Sequence, residues 1–131
     1  MLPLRYSENK ALIYLYRPDR LHHDLSDKDA LEILTAAGYA GLKSGECVAK
    51  LMQRLRFGED FPHEIGLFLS YPPEDVRGFI ENKAQNYKFT GLWKVYGDEQ
   101  KARRLFEKYK KCTDLYCRRL KAGCSVAQLA V

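Results

Sequence analysis

The sequence lacks most of the patterns that announce chemistry. Its four cysteines, Cys47, Cys112, Cys117 and Cys124, form no C-x-x-C pair. That removes the commonest zinc-ribbon and thioredoxin-type signals. No glycine-rich phosphate loop, nucleophile–base spacing or compact metal-ligand cluster occurs, so no metal site is expected and no motif identifies a cofactor. Long apolar runs are missing as well. The longest, Ala11–Tyr16 and Ile65–Leu69, are far too short to span a bilayer. No basic-then-apolar leader opens the chain, and the expectation is therefore a cytoplasmic protein with reduced thiols.

What remains is the composition of a folded domain. The 131 residues are 46% hydrophobic, 12% aromatic and 30% charged, which excludes disorder as the default state. One domain over residues 1–131 is expected, since no linker, repeat or low-complexity tract divides the chain. The formal net charge is +5, and it is localised. Between Asp98 and Lys121 stand nine Lys or Arg against four acids, leaving 13 of each sign elsewhere. Such a surplus attracts phosphate or acidic partners, and the plainer alternative is a solvated helix face.

The expected fold class is α+β, with the order β-β-α-α-β-α-β-α. Leu2–Tyr6 and Ala11–Tyr16 flank a polar turn and read as a β-hairpin, the second strand ending at Arg17-Pro18-Asp19. Ser26 and Asp29 open a helix that stops at Gly38, and Ser44 opens a second one carrying Val48, Leu51, Met52 and Leu55. Ile65–Tyr71, bounded by prolines, reads as a buried strand. Pro72-Pro73 with Glu74 and Asp75 starts a helix whose stripe is Val76, Phe79 and Ile80. Leu92–Tyr96 then makes Ile65–Tyr96 a right-handed strand–helix–strand crossover. A small three- to four-stranded sheet covered by helices follows, ending in a long helix from Asp98 to about Lys121.

That last helix presents two faces. Ala102, Leu105, Phe106, Tyr109, Thr113, Tyr116 and Leu120 form an apolar stripe at 3.6-residue spacing. Lys101, Arg104, Lys108 and Lys111 form a basic ridge beside it. Glu99–Arg103, Glu107–Lys111 and Asp114–Arg118 are spaced as i,i+4 ion pairs, and the aromatics do not interleave with the ridge. Nucleic-acid binding is for those reasons a minority reading. Cys112 and Cys117 lie about 140° apart around the helix, so one metal cannot take both without breaking it.

Two further sites are candidates. His63 and Glu64 pair an imidazole with a carboxylate, but neighbours on a strand point to opposite faces and would not converge. At the strand ends, a crevice lined by Ser70, Tyr71, Trp93, Lys94 and Tyr96 is the expected pocket, the plain alternative being closure of the core edge.

The strings HEIGLFLSYPPEDVRGFIENK (63–83), GLWKVYGDE (91–99), YKKCTDLYCR (109–118) and ALIYLYRP (11–18) resemble an uncharacterised bacterial family, domain of unknown function 3793, of clostridia-like anaerobes. The resemblance covers essentially the whole chain and implies a short or N-terminally truncated member. It implies no reaction, and marks His63, Glu64, Trp93, Lys94, Tyr96, Asp98, Cys112 and Cys117 only as places to look.

The function expected is a small non-catalytic binding or accessory module acting through a partner protein or an anionic ligand. One alternative is a redox- or metal-linked enzyme using Cys112 or Cys117 with His63. The other is nucleic-acid binding through the basic ridge.

Overall fold

The structure is a computed structural model that describes residues 2–7, 10–58, 60–125 and 128. It is mixed and dominated by helix. In chain order the elements are β1 (Leu2–Ser7), β2 (Lys10–Tyr14), α1 (Pro18–Leu25), α2 (Lys28–Ala36) and α3 (Ser44–Phe57). They continue with α4 (Ile65–Phe68), α5 (Pro73–Glu81), β3 (Phe89–Thr90), β4 (Lys94–Val95) and α6 (Glu99–Lys121).

The first hairpin forms as expected, antiparallel and in the register Leu2↔Tyr14 to Ser7↔Lys10, with an irregularity between Pro3 and Arg5. Pro18 does more than end a strand. It occupies the first turn of α1, where its missing N–H leaves nothing unsatisfied, and Asp19 complements the helix dipole. Leu21 and Leu25, four residues apart, are the buried side of that helix. The cap of α2 is Asp27 rather than Ser26: its carboxylate accepts from the Asp29 and Ala30 amides at 2.9 and 3.2 Å. Gly38 stops α2 with φ +94°, a left-handed conformation that suits glycine.

Ile65–Tyr71 is not a strand. Ile65–Phe68 is a single helical turn, after which Ser70 (φ +61°) turns the chain back into α5. A short apolar run does not distinguish a buried turn from a buried strand, and here Gly66 decides the outcome. A Cβ at Gly66 would stand 2.8 Å from Val76 Cγ2 and 3.0 Å from Tyr71 Cδ2, so glycine lets this turn pack directly on α5. The crossover therefore does not exist. Residues 89–95 instead close on themselves, Phe89 opposite Val95 and Thr90 opposite Lys94. Among the described residues the sheets are two separate two-stranded antiparallel pairs in place of one sheet of three or four strands, and the order is β-β-α-α-α-α-α-β-β-α.

Two apolar clusters result. The larger gathers Leu21, Leu25, Ala30, Leu34, Val48, Leu51, Leu67 and Phe68 from α1 to α4, with Val76 from α5. The smaller holds Trp93, Val95 and Ala102, with Phe89, Leu105, Phe106 and Tyr109 against it. Tyr71 touches both. The apolar stripe of α6 docks on the smaller cluster, but only in part: Thr113 and Leu120 are exposed, as is Ile80 of the expected α5 stripe. Beyond residue 109, α6 keeps only Cys112 and Tyr116 half-buried.

Candidate functional site

The expected crevice is divided by the fold. Tyr71, Trp93 and Lys94 line one cavity of about 450 Å³ together with His63, Phe79 and Leu92. Ser70 and Tyr96 lie outside it. Tyr71 stacks on Trp93 with ring centroids 4.2 Å apart, and Phe106 meets the indole edge-on at 4.4 Å. The cavity wall is thus also the inner wall of the smaller cluster. Burial pushes the Tyr71 hydroxyl above its ordinary pKa, so it stays neutral and able to donate.

One buried carboxylate organises this region. Asp75 is 2% exposed. Its Oδ2 accepts from Trp93 Nε1 at 2.8 Å, and its Oδ1 from the backbone amides of Tyr96 at 2.9 Å and Gly97 at 2.8 Å. Three donors and no basic side chain satisfy it, an arrangement that fixes the indole and the turn into α6. Sequence reasoning placed Asp75 only as a dipole-complementing acid in the first turn of α5. Its partners are 18 to 22 residues away, and no local signal points to them.

The other candidates are committed to structure or separated. Lys94 Nζ donates to the Ala84 carbonyl at 2.8 Å and lies 4.8 Å from the Tyr87 ring. Tyr96 covers Gly78, where a Cβ would fall 2.3 Å from Tyr96 Cγ, and its hydroxyl is buried without a partner among the described residues. His63 and Glu64 stand in the turn before α4 and not on a strand, and both line a cavity against α2, α3 and α5, one exposed and the other buried. The His63 ring is exposed and sits between Phe61 and Phe79, at 5.9 and 5.0 Å. Glu64 is buried, accepting from Arg54 at 2.8 Å and from the Tyr39 hydroxyl at 2.9 Å. Arg54 also reaches the Ala37 carbonyl, so this ion pair clamps α2, α3 and the start of α4 together.

Ser70 faces a second cleft, of about 370 Å³, between α1 and α6. Its hydroxyl donates to Asp24, and its carbonyl accepts from Tyr109 at 3.0 Å. Cys112 lines this cleft, while Cys117 is exposed on the far shoulder of α6. His63 lines neither wall of that cleft. Among the described residues no three His, Cys, Asp or Glu side chains stand together as a metal site would need.

The basic ridge is exposed along its length. Lys101 stands 3.9 Å from Glu74, whereas Arg104, Lys108 and Lys111 make no ion pair among the described residues. Of the three acid–base spacings on α6, Glu99–Arg103 closes at 2.8 Å; Glu107–Lys111 and Asp114–Arg118 do not close. Arg103 further covers the Phe89 ring, 3.7 Å from its centroid.

Fold and sites together define a helix-dominated α+β protein with two small hairpins and one long terminal helix. The chain belongs to the family described as protein of unknown function (DUF3793), which it matches over residues 1–130. No curated protein and no solved structure matches it. No described helix is long and apolar enough to cross a membrane.

Proposed function

We propose that the protein is a small cytoplasmic binding or accessory module, without catalysis of its own, that offers the basic flank of α6 to an acidic partner protein. The supporting observation is that Arg104, Lys108 and Lys111 are exposed and unneutralised on the segment that holds the entire net charge of the chain. Cations left free in one stripe raise the rate of encounter with an acidic surface and orient it. The aromatics of α6 favour this over nucleic acid. Phe106 and Tyr109 turn inward onto Trp93, so the ridge has no stacking platform for bases. A redox or metal-linked enzyme is less well supported, because Cys112 and Cys117 diverge around α6 and His63 opens on a different cavity from Cys112.

The test is the triple reversal Lys101→Glu, Arg104→Glu and Lys108→Glu, titrated with a glutamate-rich peptide and with a single-stranded RNA at low salt. The expected result is salt-dependent binding of the peptide that weakens at least tenfold in the variant, with Tm moved by no more than a few degrees. Peptide affinity unchanged by the reversal, or RNA bound more tightly than peptide, overturns the reading.

A further inference from the structure

We propose that the cleft between α1 and α6 is a binding site for a small planar aromatic anion of the nucleoside monophosphate class, independent of the ridge on the outer flank of α6. The cleft has the size of a small-ligand site, about 370 Å³. Its walls supply the two chemistries such a ligand needs.

The first is a stacking surface. Tyr16 lies on Tyr14 with ring centroids 4.9 Å apart and planes 15° from parallel. Tyr14 is buried and Tyr16 only half-buried, and both line the cleft, so the stack borders the space a ligand ring would enter. Tyr116 stands half-buried on the α6 side of the same cleft. An aromatic ring entering there adds a third layer to an existing stack.

The second is uncompensated positive charge beside that stack. Arg17 and Arg20 both line the cleft and both are exposed. Arg20 contacts Asp24 at 3.3 Å, and Asp24 is also held by the Ser70 hydroxyl, so the one acid lining this cleft among the described residues is already doubly engaged. The Arg17 side chain makes no hydrogen bond or ion pair among the described residues. A planar guanidinium free on the rim, next in sequence to the stacking tyrosine, suits a phosphate tethered to a ring.

Calorimetric titration of the intact protein with adenosine 5′-monophosphate, adenosine and inorganic phosphate tests this. The monophosphate is expected to saturate at one site with a sub-millimolar Kd, and adenosine and phosphate each to bind at least tenfold more weakly. Arg17→Gln, which removes no described contact, is expected to weaken the monophosphate at least fivefold and leave Tm unchanged. Tyr16→Leu is expected to weaken monophosphate and adenosine alike. No saturable binding, binding of phosphate alone at equal strength, or monophosphate affinity lost in Lys108→Glu but retained in Arg17→Gln each overturns the proposal. The last outcome would return the anion to the ridge and leave the acidic-partner reading standing.

Discussion

The two apolar clusters of this protein are held together in different ways. In the larger, five helices bury aliphatic side chains against one another, with Leu51 and Ala30 at 0% exposure and Val48 at 1%. Its ion pair, Glu64 with Arg54, is tied to three segments at once. The smaller cluster has three buried residues, and what it lacks in area it replaces with directed contacts: one indole stacked by Tyr71, edged by Phe106 and hydrogen-bonded to Asp75. The first half supports the fold by area. The second half docks a helix by a few specific contacts, and so leaves most of that helix free to meet something else.

Breaking the larger cluster is expected to have the greatest effect. Leu51→Ala, at a fully buried site, should lower unfolding free energy by about 2–5 kcal/mol, read by denaturant titration of helical circular dichroism. A loss below about 1 kcal/mol would mean that this cluster does not carry the fold.

Asp75→Asn separates the two regions more sharply. It keeps the shape but turns one acceptor oxygen into a donor, which leaves at least one of the Trp93, Tyr96 and Gly97 N–H groups unpaired. A cost of about 2 kcal/mol is expected, with a red-shifted Trp93 emission and most helical signal retained. Unchanged Trp93 emission would show that Asp75 is not what fixes the indole.

High pH acts on both regions. Burial raises the hydroxyl pKa of Tyr14 and Tyr39 in or beside the larger cluster, and of Tyr71 and Tyr109 beside the smaller. For Tyr39 the Glu64 charge adds to the rise. The folded protein then holds protons that the unfolded chain releases at about pH 10. Stability conferred by these groups is complete below that pH and is lost as pH rises toward their folded values. Thermal melts should be level from pH 7 to 9 and fall progressively above 10. A stability that rises above pH 10 would contradict the burial of these phenols.

The smallest effect is expected at Tyr96. Its hydroxyl is buried without a partner among the described residues, so Tyr96→Phe removes an unsatisfied group and should be neutral or stabilise by up to about 1 kcal/mol. Destabilisation by more than that would reveal a partner for the hydroxyl.

How far the sequence could be read follows the same division. Elements fixed by local chemistry were legible. Asp98 opens α6, where its Oδ1 accepts from the Lys101 amide. Pro72-Pro73 starts α5, and the hairpin of β1 and β2 follows from two short apolar runs flanking a polar turn. What failed was what distant partners decide. Ile65–Phe68 is a helical turn because Gly66 packs on Val76 and Tyr71, which no local pattern expresses. Pro18 carries the same local signal whether it ends a strand or begins a helix, and the burial of Leu21 and Leu25 settles it. At the candidate site the expected Tyr71, Trp93 and Lys94 share one cavity with His63, which the sequence offered only as a separate candidate. Asp75, the residue that organises the site, was missed because its role exists only after β4 and α6 have arrived.

The account's central claim is that α6 is anchored by its first three turns and otherwise left available. Native-state hydrogen exchange across the whole chain measures this directly. The amides of residues 112–121 should open at far lower free energy than those of α3, with α6 residues 102–109 in between. Equal protection along all of α6, matching α3, would contradict the claim.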